Sequence, residues 1–404
     1  MIAPSVYMFS VFAGKYEKIH GFVDYSEVIV GKRYGYLAGW FFAVMYQPAG
    51  YAIIAWITSG FTATVAGMSR GEEIYLPFRF FISAFFMAMT FFMNYFAPKV
   101  PVKFNVVTTV ARMIPLVLMG TVGVVVGLII DSLHDVPAGA VELADGARGA
   151  SLFAAISATA FAFNGWQAAL AFNSEVKDSK RKFPIALMLG FSAIIVVYVL
   201  YFIGIATASP AAVEQMMQGG GDNFAQGTHS AFRSVFGSAG GVLVGFMIIS
   251  GLGILNACCL GMSRAMYSLG RRGVGPMPER MAQLDEATNV PNNSMVMAVG
   301  IGFVWLFVIF ASTSGWFGNF AFSLPDFYNF SFFALLVPIF ICFAVRVRDI
   351  HPAKRFLFPM LAIGGAGFMF ATYWMRSWVH AVVYTSTFVV LAVIGFALKG
   401  KGHV

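Results

Sequence analysis

The sequence predicts an all-α polytopic membrane protein. Three observations predict it: charge is too sparse to coat a water-soluble sphere, apolar residues collect in runs of about 20, and Lys and Arg gather on alternate sides of those runs. Of 404 residues, 11% are charged and 59% are hydrophobic, with a mean hydropathy of +0.78. Soluble domains carry about 25% charged residues, so lipid must solvate most of this chain. The 44 Phe and 42 Gly agree with that, because Gly is common in membrane helices.

Ten runs are long enough to cross a bilayer, at 38–66, 77–96, 105–130, 150–173, 185–208, 239–262, 294–312, 326–344, 357–375 and 378–397. They read as helices, since a barrel strand needs only about ten residues. If segment 13–37 is cytoplasmic and the spans alternate, 20 of the 26 Lys and Arg face the cytoplasm and five face outward, among them Arg79. Arg112 falls inside a span. This bias predicts a multi-pass inner-membrane protein with a cytoplasmic C-terminus. It also accounts for the net charge of +8, which follows topology and meets anionic lipid; no nucleic-acid partner is implied.

The N-terminal stretch Met1 to Phe12 is apolar but too short to span, and no cleavage signal follows it. It reads as the last turns of a helix whose beginning is absent. In the first full span, Tyr46-Gln47-Pro48 interrupts the apolar run. Pro removes a helix hydrogen bond, so the site is a kink or, through Gln47, part of a pocket wall. Arg112 follows in Val110-Ala111-Arg112-Met113-Ile114-Pro115. It is either an internal cation or a side chain snorkelling to the cytoplasmic face about two turns away.

Span 150–173 carries Phe161-Ala162-Phe163-Asn164-Gly165-Trp166-Gln167. Asn and Gly are poor helix formers, and a break at this depth frees carbonyls that must meet a cavity or a ligand. The alternative is a close helix crossing at Gly165. A charged turn follows, Glu175-Val176-Lys177-Asp178-Ser179-Lys180-Arg181-Lys182-Phe183-Pro184, ending in a Pro suited to start a helix. After residue 262 comes Ser263-Arg264-Ala265-Met266-Tyr267-Ser268-Leu269-Gly270-Arg271-Arg272-Gly273-Val274-Gly275-Pro276, a basic cytoplasmic loop on composition alone.

These stretches together resemble the amino acid–polyamine–organocation superfamily of permeases. The family's Phe-x-Gly-aromatic break in helix six matches Phe163, Gly165 and Trp166, and its following charged motif matches Glu175, Lys177, Arg181 and Pro184. Asp178 and Ser179 replace the usual Asn-Pro. Its helix eight motif matches Asn256, Ser263, Arg264, Tyr267, Arg272, Gly273 and Pro276. Val290-Pro291-Asn292 resembles the start of helix nine. The resemblance runs from about Tyr16 to the end of the chain. It implies the leucine-transporter type of fold, with two inverted five-helix repeats, here read as N-terminally truncated: ten full spans plus a stub. A single transmembrane domain over 1–404 would divide into a partial helix and cytoplasmic loop (1–37), the remainder of the first repeat (38–130), the second repeat (150–344) and two final helices (357–397).

The resemblance also implies function: secondary active transport of an amino acid by alternating access, driven by a proton or an exchanged amino acid. The carbonyls of Ala162, Phe163, Asn164 and Gly165 would hold the substrate ammonium. Phe163 or Trp166 would gate the site, unless Trp166 is an ordinary packed aromatic. Arg112 stands where relatives place a Lys or bind sodium. Gln47 and Asn256 are candidates for the pocket wall. The family's helix one, which binds the carboxylate, has no counterpart, so transport of polyamines or other organocations and a non-transporting relative stay as alternatives.

A membrane enzyme is the rival class. Gly219-Gly220-Gly221-Asp222 spells a pattern of intramembrane aspartyl proteases, but such chemistry needs two paired carboxylates in the membrane. Asp222 lies in an outer loop, and Asp326 starts a helix, as an N-cap does. Gly251-Leu252-Gly253 is buried in a span and lacks the third Gly of a dinucleotide loop. Neither the six His nor Cys258, Cys259 and Cys342 have metal-ligand spacing. No cofactor or metal is expected.

Overall fold

The computed structural model describes residues 2–16, 21–69, 71–97, 100–129, 161–217, 221–286, 288–318 and 320–400. All regular structure among them is helical. Helix α1 is Ile2–Lys15 and α2 is Phe22–Ile29. Then come α3 (Lys32–Val65), α4 (Tyr75–Phe96) and α5, which runs from Val100–Leu118 through a π turn at Met119–Gly123 into Val124–Ile129. A 3-10 segment, Trp166–Glu175, precedes α6 (Ser179–Ala208). The short α7 (Pro210–Met217) and α8 (Gly221–Phe236) lead to α9 (Gly240–Arg271). The chain ends with α10 (Pro278–Met281), α11 (Asn292–Thr313), α12 (Leu324–Arg346), α13 (Pro352–Arg376) and α14 (Trp378–Ala397).

Among the described residues nine helices are long and apolar enough to cross a membrane, and they match nine of the ten expected spans. The tenth, 150–173, lies outside the described residues up to position 160. One of the nine apolar stretches covers both α8 and α9; Gly237, in the left-handed region at φ 58°, and a short 3-10 turn divide it.

Three boundaries differ from the sequence reading. Helix α9 continues nine residues past 262, so Ser263–Arg271 is helix and not loop. Its buried Ser263, Met266, Leu269 and Gly270 keep the helical period on one face. A C-terminal Schellman motif stops it: Val274 N–H donates to Leu269 O (3.1 Å) and Gly273 N–H to Gly270 O (2.9 Å), with Gly273 at φ 68°. Pro184 lies inside α6 and does not start it. At α12 the cap is Ser323, whose hydroxyl accepts from Asp326 N–H at 3.4 Å; Asp326 is in the first turn.

Helices α3 and α9 form the centre of the bundle, and α6 and α14 are among its most exposed spans. Glycines set the tightest approaches. A Cβ at Gly251 would lie 2.1 Å from Thr58 Oγ1 of α3, and one at Gly253 2.2 Å from Thr108 Oγ1 of α5. The Gly-x-Gly of this span lets α9 fit between two neighbours. On the other side of α5, a Cβ at Gly204 of α6 would lie 2.0 Å from the Met119 carbonyl oxygen. Arg79, counted among the outward-facing charges, is 1% exposed in the second turn of α4. Its guanidinium donates to Trp56 O at 2.6 Å and stacks 4.2 Å over the Trp56 ring.

Pro48 acts as its chemistry requires. It has no N–H to offer the Val44 carbonyl four residues earlier, and the Trp305 indole N–H takes that acceptor at 2.9 Å. The π turn Phe42–Tyr46 lies directly before it. Its last residue is Tyr46.

Candidate functional site: a broken helix and its polar partners

The helix through Ala162 stops at Phe163–Gly165, and the chain resumes as the 3-10 segment. Gly165 is left-handed, φ 105° and ψ −16°. That conformation is open to Gly at little cost and strained for branched residues. Around the turn, Asn164 N–H donates to Phe161 O at 3.1 Å and Ala168 N–H to Gly165 O at 3.0 Å. The carbonyls of Ala162, Phe163 and Asn164 receive no backbone donor from the described residues. Ala162 and Gly165 are exposed. Free carbonyls at membrane depth are tolerated where they line a cavity. Among the described residues a Cβ at Gly165 meets no atom within 4 Å, so no described helix crosses closely there.

Side chains from two other helices hold this shape. Gln167, 4% exposed, accepts from Gly165 N–H at 3.1 Å and donates to the Tyr46 hydroxyl. Tyr46 stacks on Tyr328 of α12 (centroids 4.3 Å, 21° apart) and lies 4.8 Å from Phe332. Asn164 Nδ2 donates to Asn329 Oδ1 of α12 at 2.7 Å, while Asn164 Oδ1 is buried without a partner. Phe163 meets Tyr198 of α6 at 5.3 Å. Trp166 packs edge-on against Phe9 of α1 at 5.2 Å, in a packed aromatic contact.

Arg112 points into the bundle. It is 12 residues into α5, about 18 Å from that helix's start at 1.5 Å per residue. Val106, Val107, Val110, Met113 and Val117 occupy the exposed side of α5, whereas Thr108, Ala111 and Pro115 are buried. Tyr198 of α6 and Cys258 of α9 are among the polar groups near Arg112. Its Nε is buried and makes no hydrogen bond.

The two remaining candidates lie elsewhere. Gln47 rests against Gly261 of α9, its amide nitrogen 3.1 Å from where a Cβ would be. Asn256 is buried and fully engaged: its Oδ1 accepts from Asn94 Nδ2 at 2.7 Å, and its Nδ2 donates to Asn105 Oδ1 (2.8 Å) and Pro101 O (3.1 Å). It ties α9 to α4 and α5. Truncating it would leave buried amides unpaired, at about 1–3 kcal/mol. Asn256→Ala should therefore lower the unfolding temperature in detergent while leaving ligand affinity unchanged. A weakened ligand affinity at unchanged stability would return Asn256 to the pocket wall.

Below the break, Arg272 pairs with Glu27 (2.6 Å) and Asp24 of α2, and α2 lies against the 3-10 segment. Lys15 pairs with Asp349 and holds that carboxyl below its ordinary range. Among the described residues no group of His, Cys, Asp and Glu could hold a metal ion.

Sequence reasoning located the break but missed Gln167, Tyr46, Tyr328 and Asn329 as its partners. The available signal was weak: amides and phenols inside otherwise apolar runs. Comparison with known proteins now bears on the whole. The amino acid permease family matches residues 1–398. The chain is 24% identical over 360 residues to the serine/threonine exchanger SteT of Bacillus subtilis (strain 168), covering 87% of this chain and 75% of that protein.

Proposed function

The chain belongs to the amino acid permease family, and from that premise we propose secondary active transport of an amino acid by alternating access, in which one amino acid is exchanged for another. That it is a multi-pass membrane protein of amino acid transport follows from the family and the nine apolar helices; the coupling, the residues and the inner membrane are the proposal. The proposal treats 1–404 as one transmembrane domain, with a partial helix and cytoplasmic loop (1–37), the remainder of a first repeat (38–130), a second repeat (150–344) and two final helices (357–397), and it assigns no enzyme activity.

The observation that carries it is the break at Phe163–Gly165. Among the described residues the carbonyls of Ala162, Phe163 and Asn164 accept no backbone donor, and the phenol rings of Tyr46, Tyr328 and Tyr198 contact the residues around the break. Such a rim suits an ammonium group. Gly165 serves through its backbone angle, since its own carbonyl is taken by Ala168. Arg112 supports exchange: Arg cannot release its proton near neutral pH, so it offers no proton relay, and it fills charge space that a sodium ion would need. The relative named an exchanger points the same way. An internal fixed cation also disfavours polyamines, which would be repelled by it.

The test is counterflow in liposomes holding the purified chain. Labelled serine should accumulate only in vesicles preloaded with unlabelled amino acid, equally with sodium or potassium outside. Uptake that requires sodium would refute the fixed-cation role of Arg112.

Topology is tested separately. With Cys258, Cys259 and Cys342 replaced by serine, a cysteine at the exposed Glu73 should react with an impermeant maleimide outside intact cells. One at the exposed Lys180 should react only after lysis. The reverse pattern would invert the orientation and put the C-terminus outside.

A further inference from the structure

We propose that α2 is the fixed seat of an inner gate, on which α1 and the segment after the break close, and that Arg272 is the residue that positions it; this rests on the permease reading above. One face of α2 is buried, at Phe22, Tyr25, Ser26 and Ile29, and the half-buried positions beside it include Asp24 and Glu27. Arg272 spreads its guanidinium over both carboxylates, one nitrogen on Glu27 at 2.6 Å and the other on Asp24. Such a fork fixes orientation as well as charge. Arg272 is itself held in place, because it follows α9 directly and its N–H donates to Leu269 O at 3.1 Å in the turn that ends that helix. Glycines bring α2 and α3 to backbone distance: a Cβ at Gly35 would lie 2.6 Å from Glu27 Cβ and 2.9 Å from Glu27 Cα. One at Gly39 would lie 3.2 Å from Val23 Cγ1. Helix α2 is therefore bound to α3 and α9 by close fit and by charge together.

Toward α1 and the break the contacts are of another kind. Phe9 of α1, fully buried, is where three elements meet. Its ring lies 5.8 Å from Phe22 and 5.9 Å from Tyr25 of α2, and 5.2 Å from Trp166 of the segment after the break. Ring faces and edges can part and meet again without leaving a charge or a buried amide unpaired, so this surface can open where the ion-paired one resists. A file of rings continues from it. Phe22 stacks on Phe42 (4.7 Å, 19°), Phe42 on Tyr46 (4.7 Å, 26°) and Tyr46 on Tyr328, which meets Phe161 beside the break at 5.5 Å. Rings thus fill the line from the break to α2, toward the end of the bundle that carries Lys15, Lys32 and Arg272. That line is closed in the structure, and α2 is the part of the closure tied to the central helices α3 and α9.

Counterflow of labelled serine by the full chain, in right-side-out and inside-out vesicles, tests the seat. Freeing α2 weakens the closed inner gate and raises the fraction of molecules open to the inside. In Arg272→Gln the half-saturating serine concentration should therefore fall about 3- to 10-fold at the inner face and should not fall at the outer face. Arg272→Lys, which keeps the charge and loses the fork, should lie between wild type and Arg272→Gln. A merely structural role would raise the value at both faces, so values that rise together or stay unchanged overturn the proposal. Where Arg272→Gln does not fold, Asp24→Asn combined with Glu27→Gln removes the same pairing from the other side and is read in the same way. A second arm asks whether α2 stays in place. With the native cysteines replaced by serine, Val23→Cys and Gly39→Cys put two thiols within disulfide reach and tie α2 to α3. Oxidation should leave counterflow unchanged; arrest on oxidation, with recovery in dithiothreitol, would make α2 a moving lid and overturn the fixed seat. Absence of counterflow by the wild-type chain in both orientations would sink the permease reading and the gate with it. Counterflow by the wild type with no shift in Arg272→Gln removes the gate alone.

Discussion

Replacing Gly165 by valine is expected to abolish amino acid binding while the protein still inserts and folds. At φ 105° Gly165 occupies backbone space that a β-branched residue adopts only as an outlier. The strain is of order 1–3 kcal/mol, and it cannot be relieved by repacking, since the Cβ meets nothing within 4 Å. The chain relaxes by rotating the adjoining peptides. That rotation turns the carbonyls of Phe163 and Asn164 away and loosens the Gly165–Gln167 hydrogen bond. The new side chain also projects into the open space beside the break. Binding of labelled serine should fall below detection, with an unchanged size-exclusion profile. Gly165→Ala, which strains less, should weaken binding without abolishing it. Wild-type affinity in Gly165→Val would remove the break from the binding site.

Gly204→Val should do the opposite, destroying the fold before any question of binding arises. A Cβ there would lie 2.0 Å from the Met119 carbonyl oxygen and 3.5 Å from Gly120 Cα. The obstacle is backbone, which cannot swing aside as a side chain would. Helices α5 and α6 would have to separate along a seam that also includes Gly120, Gly123 and Gly127, each closely facing α6. Overpacking of this kind costs about 1–3 kcal/mol when neighbours can yield, and more when they cannot. We expect little monodisperse protein in detergent and rapid proteolysis of what remains. Gly190→Ala, on the same helix with nothing within 4 Å, is the control and should behave as wild type. A well-folded Gly204→Val protein would mean that the α5–α6 seam is looser than described.

These two glycines also divide what the sequence could tell from what it could not. Gly165 was legible because Asn164-Gly165 breaks the helix by local propensity alone. The nine spans were legible because lipid forces every backbone group to be satisfied within its own helix. Gly204 was not legible: nothing local marks it off from Gly190, and its importance depends on which helix faces it. The same holds for Tyr46 and Asn329, 118 and 165 residues from the Asn164 they surround. The burial of Arg79 was not legible because a charge near a span's end normally lies in water, whereas here Trp56 supplies both a carbonyl and a ring face to it. Asn256 stood out as a polar residue in an apolar span, yet polarity in a span can serve helix association as well as ligands, and its partners lie on α4 and α5.

The ten-residue stretch after the break has a mechanical consequence. A 3-10 helix rises about 2.0 Å per residue and an α-helix 1.5 Å, so Trp166–Glu175 stores about 5 Å of extra length. Runs of this geometry longer than three or four residues are uncommon and poorly hydrogen-bonded. Winding the segment into α form would retract it by nearly one α turn. The segment rests on α2, itself clamped by Arg272, so the retraction would be taken up at the Asn164 end, where Gln167 meets Tyr46. A change of about 5 Å at one end of a segment exceeds the reach of a hydrogen bond, so such winding would break the Gln167–Tyr46 contact.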